Sequence, residues 1–133
     1  MPVVYNYNRQ VEPPGPFISV TVRSEEDAML FVKSPALLDF GADRSVITPE
    51  IFETLQPGRV GAIYVENFLG EGSTQRLYAV NIEFHEWTFL HVPILVGAHG
   101  YIILGRDLLN QFDIRLNGIE GKLEILRGPQ PPA

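Results

Sequence analysis

Apolar and polar side chains alternate along most of the chain. Short runs in which every second residue is apolar or β-branched recur between turn-forming residues, as is typical of strands that bury one face. The clearest runs are 17–22, 29–40, 61–84, 87–96 and 113–126. Many short strands of this kind predict a mostly β domain, built as a small closed barrel or a sandwich.

Proline and glycine divide these runs. Pro35 falls inside an apolar run, and it predicts a strand–turn–strand break there because proline cannot donate to a central ladder. Pro93 indicates a strand edge or a bulge for the same reason. The two halves of 61–84 flank Gly70-Glu71-Gly72-Ser73, which predicts a hairpin with a flexible tip.

Helix signals are confined to two short stretches. Thr48 and Pro49 have the residue types of an N-cap and a first helical position, which predicts a short helix or 3₁₀ turn within 45–55. Helical spacing also follows Gly105, and it predicts one short C-terminal helix. The apolar face of that helix would hold Leu108, Leu109 and Phe112.

Length and composition predict a single soluble domain. The chain has 133 residues, of which 45% are hydrophobic and 20% are charged. Proline-rich segments lie at both ends, an N-terminal arm at 1–16 and a tail at 127–133. The folded domain is therefore expected to span 17–126.

Charge and residue types exclude several classes of function. The net charge is −6 and the ten Lys and Arg residues are scattered singly, so no nucleic-acid partner is expected. The absence of cysteine excludes disulfides, thiolate metal sites and a cysteine nucleophile. No apolar run is long enough for a membrane span, and the start lacks the features of a signal peptide. We expect a cytoplasmic protein without a membrane partner.

Two short motifs fail on their context. Asp39-Phe40-Gly41 has the letters of a kinase magnesium loop, but a glycine-rich loop, a strand lysine and a catalytic loop are missing. His85-Glu86 begins like a zinc-protease helix, but His91 comes six residues after His85 instead of four. No metal or other cofactor is therefore predicted.

Two longer segments belong together. "ALLDFGADRSVI" at 36–47 and "YIILGRDLL" at 101–109 resemble, as a pair, the retropepsin-like aspartic proteases, the family of the retroviral proteases. That family has apolar-apolar-Asp-Thr/Ser-Gly-Ala, and later apolar-apolar-Ile/Leu-Gly-Arg-Asp/Asn-apolar-apolar. Its flap hairpin lies between the motifs, as the glycine-tipped hairpin does here. The resemblance implies a small closed β-barrel or sandwich of the retropepsin type.

The resemblance also implies roles around the first motif. Asp39, at the end of an apolar strand, would be the catalytic residue, and Gly41 would allow the sharp turn that exposes its carboxylate. Main-chain groups of the residues after Gly41-Ala42 would bind an extended peptide. Arg106 would pair with Asp43 and brace the active-site turn against the C-terminal helix.

The hairpin at 64–80 would be the flap. Phe68 and Leu69 near its tip would cover the substrate, and Gly70 and Gly72 would let the tip open. Further candidates for the pocket lining are Leu38, Ala42, Val96 and Ile102, which core packing explains equally well.

The aspartic mechanism needs two carboxylates, and the chain has one such motif and no internal repeat. Two adjacent carboxylates share a proton, so that one activates water while the other protonates the substrate carbonyl. The second Asp39 must then come from a second chain, which implies a homodimer about a two-fold axis. The expected activity is hydrolysis of peptide bonds in an extended peptide or protein.

Phe40 departs from the family, which has Thr or Ser at this position. In the family, the hydroxyl of this Thr or Ser forms a hydrogen bond with the opposite subunit, which Phe cannot form. A lost buried hydrogen bond costs roughly 1–3 kcal/mol. Overpacking of the interface by the larger side chain costs about 1–3 kcal/mol. Three alternatives stay open. The two rings replace the hydrogen bonds by packing, the dimer is weak and its activity reduced, or the chain is an inactive peptide-binding module. An unrelated small β domain is a further hypothesis.

Overall fold

The computed structural model of the chain describes residues 2–130. The described part is mostly β, as predicted, with ten strands and two short helices. The strands are β1 Val3–Asn6, β2 Phe17–Arg23, β3 Phe31–Leu38, β4 Val46–Ile47, β5 Arg59–Glu66, β6 Gly72–Phe84, β7 Trp87–Val96, β8 Ile102–Leu104, β9 Asp113–Asn117 and β10 Lys122–Arg127. The helices are α1 Pro49–Leu55 and α2 Arg106–Leu109.

Six strands close into a barrel. Their order is β2-β3-β8-β4-β7-β6, and β6 returns to pair with β2, which joins the two edges of the sheet. The joining pairs include Thr21 opposite Glu83 and Arg23 opposite Asn81. β5 pairs with β6 alone and therefore lies outside the closed ring. The prediction of a small closed β-barrel is confirmed.

The barrel interior is filled by aliphatic side chains. β2 buries every second residue, as the alternating pattern predicts. The fully buried barrel residues include Val20, Val22, Val80, Ile82, Ile94, Ile102 and Leu104. Leu108 and Leu109 of α2 are buried in the same core, and each contributes about 1.5–3 kcal/mol through burial.

A second, three-stranded sheet joins the two ends of the described chain. Its order is β1-β10-β9, and Val3 lies opposite Ile125 in the antiparallel pair of β1 and β10. The expected N-terminal arm therefore contains a strand, and the expected tail starts with the last residue of β10. Met1 and residues 131–133 lie outside the described residues, and the domain boundaries at 17 and 126 stay a prediction.

The strand–turn–strand prediction around Pro35 is wrong. β3 continues through Pro35, which lies opposite Ser19 of β2. On its other side β3 pairs with β8 only from Ala36 onward, so the missing N–H of the proline interrupts no ladder there. Pro93 likewise lies within β7, and the register shift of that strand pair falls between Val80 and Ile82 instead.

Both helices have the local signals that predict them. Thr48 is the N-cap of α1, and its Oγ1 accepts a hydrogen bond of 3.2 Å from the N–H of Ile51. The fold thus has α1 in addition to the single C-terminal helix of the expected family fold. Within the described residues, neither helix is long and apolar enough to cross a bilayer.

Candidate active site

Asp39 lies where β3 leaves the barrel. Its N–H donates to Leu104 O at 2.9 Å, which continues the pairing between β3 and β8 for one more residue. Its Oδ1 accepts from the N–H of Gly41 at 2.9 Å, and its carbonyl accepts from the N–H of Ala42 at 3.2 Å. The half-buried carboxylate is therefore fixed by a tight turn at the end of the barrel.

Gly41 has a different role from the predicted one. Among residues 2–130 the glycines with a left-handed backbone are Gly70 and Gly121, so Gly41 needs no special conformational freedom. A Cβ at Gly41 would lie 3.1 Å from Asp39 Oδ1, which is a tight contact. Glycine therefore keeps the space beside the carboxylate open while its N–H binds the carboxylate oxygen.

Arg106 ties the turn to α2. Its Nη1 donates to Phe40 O at 2.6 Å, its Nη2 donates to the Asp43 carboxylate, and its main-chain N–H donates to Ala42 O at 2.8 Å. Both charged side chains are substantially exposed, so the ion pair itself contributes little to stability. Its main effect is positional, since three bonds from one residue hold the turn.

A buried network that we did not predict lies beneath this turn. The fully buried Ser45 donates from Oγ to Asp107 Oδ1 at 2.9 Å and from its N–H to Oδ2 at 3.0 Å. Ser45 Oγ also accepts from the N–H of Gly105 at 3.1 Å. The available signal was Asp107 in the first turn of a helix, where a carboxylate binds N–H groups.

Gly105 completes the brace by its lack of a side chain. A Cβ there would lie 2.7 Å from the carbonyl carbon and oxygen of Arg44 and 2.9 Å from Ala42 O. These are backbone atoms, which cannot rotate away. The turn after Asp39 and the start of α2 therefore approach each other more closely than a side chain at position 105 would allow.

Phe40 is at the surface beside the carboxylate. Its side chain is 40% exposed, and its carbonyl is held by Arg106. The large ring is thus presented outward by a fixed main chain.

The hairpin of β5 and β6 projects beyond the barrel. Residues 72–77 of β6 pair with β5 alone, because the pairing with β7 starts at Tyr78. At the tip, Asn67 Oδ1 accepts from the N–H of Leu69 at 2.9 Å and of Glu71 at 3.1 Å. The tip is therefore an ordered turn with its own hydrogen bonds.

Among the predicted flap residues, Phe68 and Leu69 are exposed to solvent, whereas Gly72 lies against Val65 and Tyr64 of β5. Phe68 and Leu69 are 97% and 68% exposed, and Gly70 has a φ of 82°. A Cβ at Gly72 would lie 2.6 Å from Val65 O and 2.7 Å from the Tyr64 ring. Gly72 therefore provides space for the tyrosine ring, and opening of the tip at the two glycines stays a prediction.

A cavity of about 530 Å³ separates the hairpin from the barrel. The hairpin residues that line it include Val65, Ser73 and Gln75, and the barrel residues include Val46, Val96 and Ile103. Gln75 Nε2 donates to Ser73 Oγ at 2.7 Å, so the hairpin wall is partly polar. The strand residues of the barrel wall are apolar, and His99 of the loop after β7 also lines the cavity.

The structure places the predicted pocket residues in different surroundings. Val96 lines the cavity, but Leu38 and Ile102 are buried inside the barrel, where no ligand reaches them. Core packing, the other alternative, therefore describes Leu38 and Ile102. Ile103 lines the cavity instead, because neighbouring residues of a strand face opposite sides. Asp39 and Ala42 are not part of this lining, so a single chain does not bring the carboxylate and the cavity into one pocket.

Two side chains have shifted pKa values. The hydrogen bond from Arg23 lowers the pKa of Glu83, and burial raises the pKa of Tyr5.

Within residues 2–130, no group of three or more His, Asp or Glu side chains is arranged to hold a metal ion. His91 instead pairs with Glu25, with 2.8 Å between Nδ1 and Oε2.

The closed barrel is the fold expected of a retropepsin-like protein. A sequence model of the family "retroviral aspartyl protease" matches residues 13–117, which is most of the chain. The chain therefore belongs to the retroviral aspartyl protease family. A search of curated proteins finds no match to it.

Solved structures agree on the fold. A retropepsin-like aspartic protease from Rickettsia conorii superposes with a TM-score of 0.63 and 16% identity, over 94% of this chain and 89% of that one. The EIAV protease complexed with the inhibitor HBY-793 gives 0.55 and 24% identity, over 72% and 86%. The foamy viral protease-reverse transcriptase gives 0.53 and 11% identity, over 74% of this chain and 12% of that one.

Proposed function

We propose that the chain is an aspartic endopeptidase whose active site forms between two copies, each contributing one Asp39. The observation that carries this proposal is the half-buried Asp39 carboxylate, fixed by Gly41 in a turn that Arg106 braces. Family membership supports it, since the family is one of aspartic proteases.

The need for a second copy follows from the neighbouring acids. Asp43 is engaged by Arg106, and both oxygens of Asp107 accept hydrogen bonds from Ser45. Neither is therefore available as the second carboxylate of a dyad. A two-fold axis beside the turn would bring in the Asp39 carboxylate of a second chain.

In the proposed mechanism the two Asp39 carboxylates share one proton, because two adjacent negative charges repel each other. The ionised carboxylate removes a proton from a water molecule as the water oxygen attacks the peptide carbonyl. The protonated carboxylate gives its proton to the carbonyl oxygen. As the tetrahedral intermediate collapses, the carboxylate that took the proton from water gives it to the amine nitrogen, and the C–N bond breaks. The other carboxylate takes a proton from a hydroxyl of the intermediate, which becomes the product acid, and the pair again shares one proton.

The substrate of this proposal is an extended peptide. It would lie between the turn and the hairpin, with its main chain bound by main-chain groups after Gly41. One of its side chains would enter the cavity beside Val96 and Ile103. The exposed Phe68 and Leu69 would close over the peptide as a flap.

Phe40 favours a second candidate function, a dimeric peptide-binding module with little or no catalysis. A phenyl ring cannot supply the hydroxyl that the family uses between subunits, and this ring is 40% exposed beside Asp39. A partner subunit at this surface would have to accommodate two such rings near the axis, which alters the spacing of the two carboxylates.

Cleavage of a peptide library, followed by mass spectrometry, tests the first candidate. We expect Asp39→Asn to abolish cleavage and a pepstatin-type inhibitor to block it. Asp27→Asn, in an exposed loop, is the matched control and should leave cleavage unchanged. Cleavage that survives Asp39→Asn in full would show that the proposed mechanism is wrong.

Phe40→Thr distinguishes the two candidates. If the ring only weakens a working dimer, the variant gains activity and sediments more fully as a dimer. If the wild-type chain binds peptides without cleaving them, and Phe40→Thr restores no turnover, the binding module is the better description. Peptide binding is measured by calorimetry on both proteins at one concentration.

A further inference from the structure

The cavity between the hairpin and the barrel has two chemically different parts. Its barrel wall is aliphatic, with Val46 of β4, Val96 of β7 and Ile103 of β8. The part beside the hairpin turn is acidic, because Glu66 is the last residue of β5, Glu71 directly precedes β6, and both line the cavity. A long apolar surface thus leads to two carboxylates.

The described lining of this cavity contains no lysine or arginine that could neutralise the two carboxylates. Its remaining ionisable residue is His99. The ion pairs found within residues 2–130 involve other acids. In the hairpin, Arg76 follows Gln75 of the lining, so alternation along β6 directs Arg76 to the opposite face. The cavity therefore has an excess of negative charge.

We propose that this cavity binds a lysine or arginine side chain of the extended peptide, which makes basic residues the preferred substrate class. The inference rests on the proposed function for the position of the peptide. Lysine and arginine combine an aliphatic stem, which packs along apolar surface, with a cationic head that stays at the solvent. The stem would lie along the aliphatic barrel wall, and the head would meet Glu66 and Glu71.

Other side chains match only one part of the cavity. An apolar side chain would contact the barrel wall and gain nothing from the carboxylates, and an acidic side chain would meet two like charges. Glu66 and Glu71 are exposed, so solvent weakens their attraction for a cation. We therefore expect a preference of about fivefold for lysine over an uncharged side chain of the same shape.

Peptide binding to the whole chain tests this preference without cleavage. The Asp39→Asn variant is titrated with acetyl-(Ala-Thr)2-X-(Thr-Ala)2-amide, in which X is lysine, norleucine or glutamate, and amide chemical shifts are followed by NMR. The proposal expects the lysine peptide to bind about fivefold more tightly than the norleucine peptide, with the glutamate peptide weakest. The largest shifts should fall on cavity residues such as Ser73 and Gly97. Equal affinities, or no binding of any of the three peptides, would overturn the proposal.

A pair of double variants separates the cavity from the general charge of the protein, which is −6 and attracts any cation. Glu66→Gln with Glu71→Gln should abolish the lysine preference and leave the affinity for the norleucine peptide unchanged. Glu26→Gln with Glu120→Gln changes the net charge equally at exposed positions outside the cavity and should keep the preference. If both double variants lose it equally, the cavity is not the site.

Cleavage of the peptide library by the wild-type chain distinguishes this inference from the proposed function. Lysine and arginine should be enriched at one fixed distance from the cleaved bonds. Cleavage without this enrichment overturns the basic preference and leaves the protease intact. Lysine-selective binding at the cavity with no cleavage of any peptide supports the inference and contradicts the catalytic function.

Discussion

Ser45→Ala removes the centre of the buried network beneath the Asp39 turn. The hydroxyl donates to the ionised Asp107 at 2.9 Å and accepts from the N–H of Gly105 at 3.1 Å. A bond to a charged acceptor contributes about 1.5–3 kcal/mol, and an unpaired buried N–H costs about 1–3 kcal/mol. Because Asp107 keeps other donors, we expect a combined loss of about 2–4 kcal/mol.

Thermal unfolding converts this loss into a measurable shift. Unfolding entropy near 60 °C is about 2.1 cal/mol/K per residue, so for 133 residues the Tm should fall by about 7–14 °C. Urea unfolding should show a lower midpoint with an unchanged m-value. Protein concentration is kept fixed, because self-association shifts the Tm by mass action.

Ser19→Ala is the matched control for this prediction. Ser19 is exposed on β2, and its loss is expected to change stability by less than about 0.5 kcal/mol. If Ser45→Ala behaves like Ser19→Ala, the network does not hold the turn and our account of the brace is wrong.

Three further predictions concern other positions. Gly105→Ala places a methyl group 2.7 Å from backbone atoms, so we expect a loss of about 1–3 kcal/mol or more in calorimetry; a stability equal to wild type contradicts the close approach. The hydrogen bond from Arg23 lowers the pKa of Glu83. The ionised Glu83 therefore stabilises the folded state above the ordinary glutamate pKa. This contribution is lost as the pH falls through the lowered pKa. Glu83→Gln should therefore lower the Tm at neutral pH and converge with wild type in acid; a constant difference across pH contradicts this. Gly72→Ala places a methyl group 2.6 Å from Val65 O and 2.7 Å from the Tyr64 ring, so amide exchange measured by mass spectrometry should become faster in the hairpin. Unchanged protection would contradict this close contact.

Local patterns in the sequence were sufficient for most of the fold. Strict alternation in 17–22 and a complete N-cap at Thr48 identified their elements because both signals are properties of neighbouring residues. Many short strands indicated a barrel or a sandwich, the family resemblance implied the closed retropepsin type, and the pairing of β2 with β6 closes the barrel. The prediction of a break at Pro35 was wrong because a strand tolerates proline where one of its two edges has no pairing partner. Pro35 pairs with β2 and lies outside the pairing with β8, which the sequence alone does not show.

The site was predictable where a motif fixes contacts and less so where distant packing does. Asp39 and the other residues of its turn are only a few positions apart in the sequence, so one motif contains them all. The pairing of Arg106 with Asp43 was predicted from the second motif. The network of Ser45 joins residues about 60 positions apart and is not visible in any local pattern. Leu38 and Ile102 were left open between pocket and core, because the sequence alone does not show which alternate residues of a strand point into the barrel.

The pairing of β1 with β10 places the two ends of the domain side by side. Val3 is opposite Ile125, and neighbouring strands are about 4.8 Å apart, so the polypeptide enters and leaves the fold at nearly one point. A domain with adjacent ends can be inserted into a surface loop of a host protein without forcing the host's own ends apart. The same geometry makes it a good starting point for circular permutation, since a short linker suffices to join the original ends.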